Sequence, residues 1–545
     1  MGNLRWAKPA PPPKNSKVQD GKTGNACVQA APNGINFFGS ASDIPGGPSA
    51  INDFLGELAG PVLSGGAEDC LFLDVYVPGS AVRSPKTKSL PVIHWFYGGG
   101  YVLGSKNQLQ PLLPFYDGSG LITQSGGNVI FVASNYRLGA FGFLAGSTME
   151  KDGLPNAGLW DQRAALQWTK DNIALVGGNP NAVTAMGESA GASSILHHIV
   201  AQGGTLDPLF QQAIMLSPAF QPMFDRKGSL EDVYRNFSSF AGCADGSISC
   251  LRSKESATLR SANDKLNDGA LSGSFAVGPA PDGSFIRQIP SLEFRSGKFW
   301  KGLKGLLISH TSDESTLFVD GSIQTDAQTT QFLNALFGND VVDAGLTKAI
   351  EKKYPPVSGG AGPYKTQGQR VRAFIRDSSF TCNNRWLADA YAGKTYSMQY
   401  SLTPGWHATD LLPAFWSTGL SSSPLGNALA LALPLLSAFS FAYKSYLTSF
   451  VRSGSPNSNR AAIWVPPAIN WPTTDASGEK IGNVLNAGDL GFSVISDDKN
   501  LKSACDFWVD FEAAVTINGG YSPPGSVVPT TLLSGSDLEG PSDNY

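Results

Sequence analysis

Histidine is scarce: the 545 residues hold only five, His94, His197, His198, His310 and His407, so chemistry that needs an imidazole has few places to go. No two of the six cysteines form a Cys-x-x-Cys pair, which removes the usual signature of a structural zinc site or a dithiol redox couple. An excess of positive charge is missing too. Lys and Arg number 40 against 44 Asp and Glu, for a formal net charge of -4 and a pI near 5.8. With no basic cluster on any helical face, nothing attracts a nucleic acid. No repeat period is visible, which excludes solenoids and propellers. The opening MGNLRWAKPAPPP lacks the apolar segment of a secretory signal and turns at once into a Pro-rich stretch. The longest uncharged stretch, Leu411 to Tyr443, is long enough to raise a membrane span. Pro434 interrupts it, Asn427 and several serines dilute it, and no basic residues flank its N-terminal side, so it reads as buried protein.

What remains is the composition of a globular chain, 41% hydrophobic and 15% charged, with 62 Gly and 36 Pro marking many turns. It is read as one catalytic domain spanning 1–545 with insertions. Alternation over Leu71–Val77, closed by Pro78-Gly79, predicts an outer, antiparallel strand. Leu90–Tyr97 and Asn128–Ser134 are continuous apolar runs, the pattern of strands covered on both faces. Apolar residues at helical spacing predict a helix over Gly158–Ala174, ending before Gly177-Gly178-Asn179-Pro180. A short strand, Ala182–Met186, then runs into Gly187-Glu188-Ser189-Ala190-Gly191 and a helix-like Ala192–Leu196.

Strand, tight turn and helix around G-x-S-x-G are the setting of a nucleophile elbow, in which flanking glycines spare a strained turn two colliding Cβ atoms and lift the Ser189 hydroxyl into the open. Such an elbow belongs to an α/β-hydrolase, a large, mostly parallel central sheet with helices on both faces. A serine nucleophile needs a base, and elimination among five histidines is feasible. His94 lies in a buried strand, His197 and His198 on the helix after the elbow, and His310 at the end of the strand run Gly305–Ser309. His407 alone stands late in the chain on a Gly-Pro loop, as the chain order nucleophile, acid, base requires. The acid then falls in Thr311-Ser312-Asp313-Glu314-Ser315, where Asp313 and Glu314 compete. Gly98-Gly99-Gly100 after the Leu90–Tyr97 strand fits a loop whose N–H groups hold an oxyanion, joined by the N–H of Ala190. The spacing of a dinucleotide-binding glycine loop is absent. Cys243 and Cys250 bracket a short polar loop that reads as a disulfide loop. Asn236-Phe237-Ser238 is a glycosylation acceptor compatible with secretion.

Several blocks carry a resemblance: Glu68-Asp69-Cys70-Leu71-Phe72-Leu73-Asp74-Val75, Trp95-Phe96-Tyr97-Gly98-Gly99-Gly100, Asn135-Tyr136-Arg137-Leu138-Gly139, residues 158–191, Asp313-Glu314, and His407 with Asp410. Together they resemble the type-B carboxylesterase and lipase family, which includes cholinesterases and fungal secreted lipases, over nearly the whole length. The resemblance implies a serine carboxylic-ester hydrolase working through an acyl-enzyme, with Ser189 as nucleophile, His407 as general base, Glu314 as the acid and Gly99, Gly100 and Ala190 as oxyanion donors. It implies disulfides Cys27–Cys70, Cys243–Cys250 and Cys382–Cys505, a secreted protein, a small-molecule or lipid-like ester as substrate, and neither cofactor nor metal. It also implies that some tens of residues, with a signal peptide and first edge strands, precede Gly2-Asn3-Leu4-Arg5-Trp6, so the chain looks N-terminally truncated. A triacylglycerol lipase with a lid between Cys27 and Cys70 is the alternative among enzymes. A catalytically silent adhesion-type homologue is the alternative outside them, and the three filled triad positions speak against it.

Overall fold

A computed structural model describes residues 2–12, 24–35, 65–108, 110, 115–338, 341–342, 345–360, 362–421, 436–459 and 467–518. Much of the lid candidate between Cys27 and Cys70, and residues 422–435 of the uncharged stretch, lie outside the described residues.

Among the described residues nine strands form one sheet: β1 (Leu73–Tyr76), β2 (Leu90–Phe96), β3 (Ile130–Ser134), β4 (Gly178–Glu188), β5 (Gln212–Leu216), β6 (Gly305–Thr311), β7 (Thr395–Ser401), β8 (Lys480–Gly488) and β9 (Gly491–Leu501). Their order across the sheet is β1-β3-β2-β4-β5-β6-β7-β8-β9. Neighbours from β3 to β8 run parallel, while β1 on β3 and β9 on β8 are antiparallel. Successive strand residues point to opposite faces, so β3 and β6, buried at every position, must be covered on both sides. The half-buried β1 is the outer antiparallel strand that its alternation predicts. β4 starts earlier than the apolar run Ala182–Met186 because Gly178 pairs with Leu90 across a bulge before Val183 pairs with Val92.

Helices follow the strands. α1 (Ala157–Asn172) packs on β3 and β4, and α2 (Ala190–Gly204) on β2, β4 and β5. Further along come α3 (Pro290–Arg295), α4 (Gln367–Arg376), α5 (Cys382–Ala390), α6 (Leu436–Ser453) and α7 (Lys502–Asn518). A π-helical turn, Asp377–Thr381, joins α4 to α5. The described end of the uncharged stretch is α6, which buries Phe439, Tyr443 and Tyr446 and packs on β2. Among the described residues no helix is long and apolar enough to cross a membrane.

The structure contains disulfides Cys27–Cys70, Cys243–Cys250 and Cys382–Cys505. The last ties α5 to α7 across a sequence separation of 123, which the chain-entropy model values at about 5 kcal/mol.

Because β4, β5, β6 and β7 are adjacent and parallel, their carboxyl ends share one edge of the sheet. Ser189 directly follows β4, Glu314 follows the end of β6, and His407 lies on the loop after β7. That edge is where open α/β sheets place their ligands.

Candidate active site

The turn between β4 and α2 is tight enough to force Ser189 to φ 55° and ψ -125°, a conformation that costs a side-chain-bearing residue roughly 1–3 kcal/mol. Its surroundings hold it there. The Ser189 N–H donates to Leu216 O at 2.9 Å, and the N–H of Ala219 donates to Ser189 O at 3.2 Å. The flanking glycines are steric necessities: a Cβ on Gly187 would lie 2.5 Å from the Gly191 carbonyl carbon, and one on Gly191 would lie 2.0 Å from Phe96 O. Side chains at either place would push α2 off the sheet.

Glu314 and His407 are brought together by the loops that carry them. The loop after β6 is sewn to the loop after β7 by Ser312 N–H donating to Tyr400 O at 2.8 Å and Asp313 N–H donating to Gly405 O at 2.9 Å. Glu314 thereby faces His407, with Oε2 at 2.5 Å from Nδ1, while its Oε1 accepts from the Thr311 N–H at 2.6 Å. Asp313 turns away to Thr316 and Arg372. The geometry thus separates two adjacent carboxylates that spacing leaves equivalent. Burial alone would raise Glu314, but the facing imidazole and the hydrogen bonds outweigh it and hold the carboxyl below its ordinary range. Glu314 is ionised.

His407 Nε2 makes no hydrogen bond in this state and lies 3.3 Å from Oε1 of Glu188, the residue before Ser189. The imidazole edge is therefore aimed at the elbow, without a hydrogen bond to the Ser189 hydroxyl. Catalytic contacts of this kind often tighten only with substrate in place. Phe318 and Phe380 pack edge-on against the His407 ring and line the same cavity as Ser189.

The other histidines are occupied elsewhere. His94 sits between Thr169 and Ser134, and burial drops it to about 3. His197 is held by Ser193 O and lowered by burial to about 4, while His198 is bound to Gln162 and lowered mainly by burial to about 3. His310 lies within β6, and its nitrogens engage Asp497 at 2.8 Å and Thr311 O at 2.8 Å.

Two buried acids add what the motifs did not disclose. Glu188 and Asp410 stand beside Glu314 and His407, and among the described residues Oε1 of Glu188 and both oxygens of Asp410 make no hydrogen bond. Burial raises both well above the usual carboxylate range, and the charge of Glu314 adds to it. For Asp410 the neighbouring Glu188 carboxyl raises it further. Glu188 and Asp410 stand within recognisable motifs, but nothing in a motif says that two acids there are buried side by side with Glu314.

A linkage prediction follows for Asp410. A carboxyl whose folded value lies above its unfolded value, near 4, favours folding most below that value and opposes it increasingly as pH rises toward the folded one. Asp410→Asn should therefore gain stability relative to the parent chain progressively from pH 5 to pH 8. Thermal melts at several pH values read this, and a difference independent of pH would contradict it.

The glycine loop closes over the elbow. A Cβ on Gly98 would lie 2.6 Å from Glu188 Oε2 and 2.9 Å from Ser189 Cβ, and Gly99 and Gly100 take φ of 108° and 59°. Val102 and Leu103 N–H groups both donate to Gly99 O at 3.1 Å, fixing the loop. Ala190 opens α2, so its N–H has no acceptor within the helix. Gly100 and Ser189 form part of one cavity of about 990 Å³, mouth included, whose other walls are mostly aromatic and aliphatic. Its phenylalanines come from segments far apart in the chain, from Phe220 to Phe511, and sequence spacing offers no signal for them. Among the described residues no group of His, Cys, Asp and Glu is arranged to hold a metal ion.

Comparison with known proteins agrees with this architecture. Residues 1–508 match the sequence pattern of the carboxylesterase family. A secreted lipase of Arthroderma benhamiae is 41% identical over 456 residues, covering 83% of this chain and 85% of its own. Carboxylesterase patB of Aspergillus clavatus is 31% identical over 535 residues, covering 93% and 89%. The crystal structure of Aspergillus niger EstA superposes with a TM-score of 0.71 at 25% identity, covering 95% of this chain and 92% of that one. A thermophilic PNB esterase superposes at 0.64 with 25% identity, covering 86% and 88%. With an α/β-hydrolase sheet and this likeness along nearly its full length, the chain belongs to the carboxylesterase family of ester hydrolases.

Proposed function

We propose that the chain cleaves uncharged carboxylic esters by two-step acyl transfer through Ser189. The observation that carries this reading is the buried Glu314–His407 pair, 2.5 Å apart, with Nε2 left open beside the elbow. His407 Nε2 takes the Ser189 proton as the hydroxyl oxygen attacks the ester carbonyl. Glu314 fixes the proton on Nδ1 and stabilises the imidazolium that forms. The carbonyl electrons move onto an oxyanion received by the N–H groups of Gly99, Gly100 and Ala190, each worth roughly 3–4 kcal/mol of barrier. The imidazolium then protonates the leaving alkoxide, and water, deprotonated by His407, releases the acid from Ser189.

The apolar cavity supports an ester with a hydrocarbon chain, since charged groups would find few partners on its walls. A panel of p-nitrophenyl esters tests this: kcat/KM rises with chain length from acetate, and a fall with every added methylene would contradict it. The relatives named as lipases support a second reading, hydrolysis of triglyceride at an interface. A jump in rate when tributyrin passes its solubility limit would favour it. Secretion is part of the proposal, supported by the secreted relative and by three disulfides, which persist in oxidising compartments.

A further inference from the structure

The wall of the cavity supplied by α7 carries Trp508, Phe511 and Glu512. Phe318 and Phe380 touch His407, whereas Phe511 stacks edge-on with Phe337, which in turn lies against Phe224. Amid these rings Glu512 is 1% exposed. Its Oε2 accepts from the hydroxyl of Ser291 on α3, a residue that is not part of the cavity lining, while Oε1 has no hydrogen-bond partner. Glu512 is thus a lining residue of the cavity with one carboxyl oxygen still unpartnered among the described residues.

A partnerless carboxyl oxygen among phenylalanines is a cost that leucine or methionine would avoid, and buried polar atoms in native proteins find partners as a rule. No step of acyl transfer as derived above uses Glu512. Burial pushes its carboxyl up to about 8, and the Ser291 hydrogen bond only partly opposes this. At neutral pH the group is therefore chiefly an uncharged acid, able both to donate to and to accept from another neutral group. That chemistry suits a hydroxyl carried on an otherwise apolar chain, because such a ligand fills the hydrophobic space and completes the missing hydrogen bond.

We propose that Glu512 is a specificity-determining residue that receives a hydroxyl on the hydrocarbon chain of the ester, so that the cavity prefers a hydroxylated aliphatic chain to a plain one. This rests on the ester-hydrolase reading and adds the substrate class to it. The hydroxyl could reside on the acyl or the alcohol side of the ester, and the two arms of the experiment separate these.

In one arm, p-nitrophenyl alkanoates are compared with hydroxyalkanoates of equal length, the hydroxyl being moved along the chain. In the other, acetate esters of alkanols are compared with those of alkanediols. The quantity read is the ratio of kcat/KM for hydroxylated over plain ester in the parent chain, Glu512→Gln and Glu512→Leu. In one arm, a particular hydroxyl position gives a ratio above one in the parent chain. Glu512→Leu lowers that ratio by roughly tenfold, as expected when a built hydrogen-bonding site loses its polar group, and Glu512→Gln retains most of it. A ratio that is the same in all three proteins at every position overturns the proposal. Should Glu512→Leu fail to fold, the scan in the parent chain decides, since the absence of any preferred hydroxyl position also overturns it. Failure of the underlying reading looks different: no plain or hydroxylated ester would then be cleaved in a manner lost in Ser189→Ala.

Discussion

Replacing Ser189 with alanine lowers kcat on p-nitrophenyl esters by a factor on the order of 10⁵ or more, with the melting temperature within a few degrees of the parent chain. The substitution removes one oxygen and adds nothing. Its Cβ already exists, and the cost of φ 55° is the same for both residues, so the elbow and its hydrogen bonds to Leu216 and Ala219 persist. Rate over the uncatalysed reaction does not vanish, because the glycine loop and the cavity can still hold an ester while water attacks directly. Stopped assays of kcat against a matched background read the effect. A loss of less than tenfold would mean that the acyl group passes through some other residue.

Glu314→Gln is the second large effect, a fall in kcat of about 10³–10⁴ with little change in KM. Glutamine is isosteric and can still accept from the Thr311 N–H that now reaches Oε1 at 2.6 Å. The amide nitrogen is then directed at His407 Nδ1, where it can only donate. That makes Nδ1 an acceptor and places the proton on Nε2, the position that must be empty to receive the Ser189 proton. The charge opposite the imidazolium is lost as well. Asp313→Asn is the informative control: its carboxylate engages Thr316 and Arg372 rather than the histidine, so its kcat stays within a few-fold of the parent chain. Equal losses in the two variants would contradict the assignment of the acid.

Legibility from sequence followed the physics of each feature. β2, β3 and β6 were readable because strands covered on both faces are continuous apolar runs, and the elbow because its turn tolerates only glycine at Gly187 and Gly191. β8 and β9 were not read, since their hairpin alternates weakly and exposes much of Gly491–Leu501. Spacing leaves Asp313 and Glu314 equivalent, because which of them faces His407 depends on the tie between the loops after β6 and β7 at Asp313 and Gly405. His310 shows how far elimination by chain order reaches: the order nucleophile, acid, base leaves little room for an acid before it, and its pairing with Asp497, far along the chain, supplies an independent physical reason. The upward shift of Glu188 and Asp410 depends on burial and on neighbouring carboxylate charge, neither of which is encoded locally. Glu512 illustrates the same limit, because in Asp506–Glu512 it reads as one more acid on a helix and only the fold turns it inward.

Acyl transfer as proposed requires Ser189 to become acylated, and the most direct measurement is the intact mass and peptide map of the protein after reaction with a p-nitrophenyl alkylphosphonate, which halts the cycle at the covalent stage. One phosphonyl group is predicted, on the peptide containing Ser189, with none bound by Ser189→Ala. A stoichiometric adduct on any other residue, accompanied by full loss of esterase activity, would contradict it.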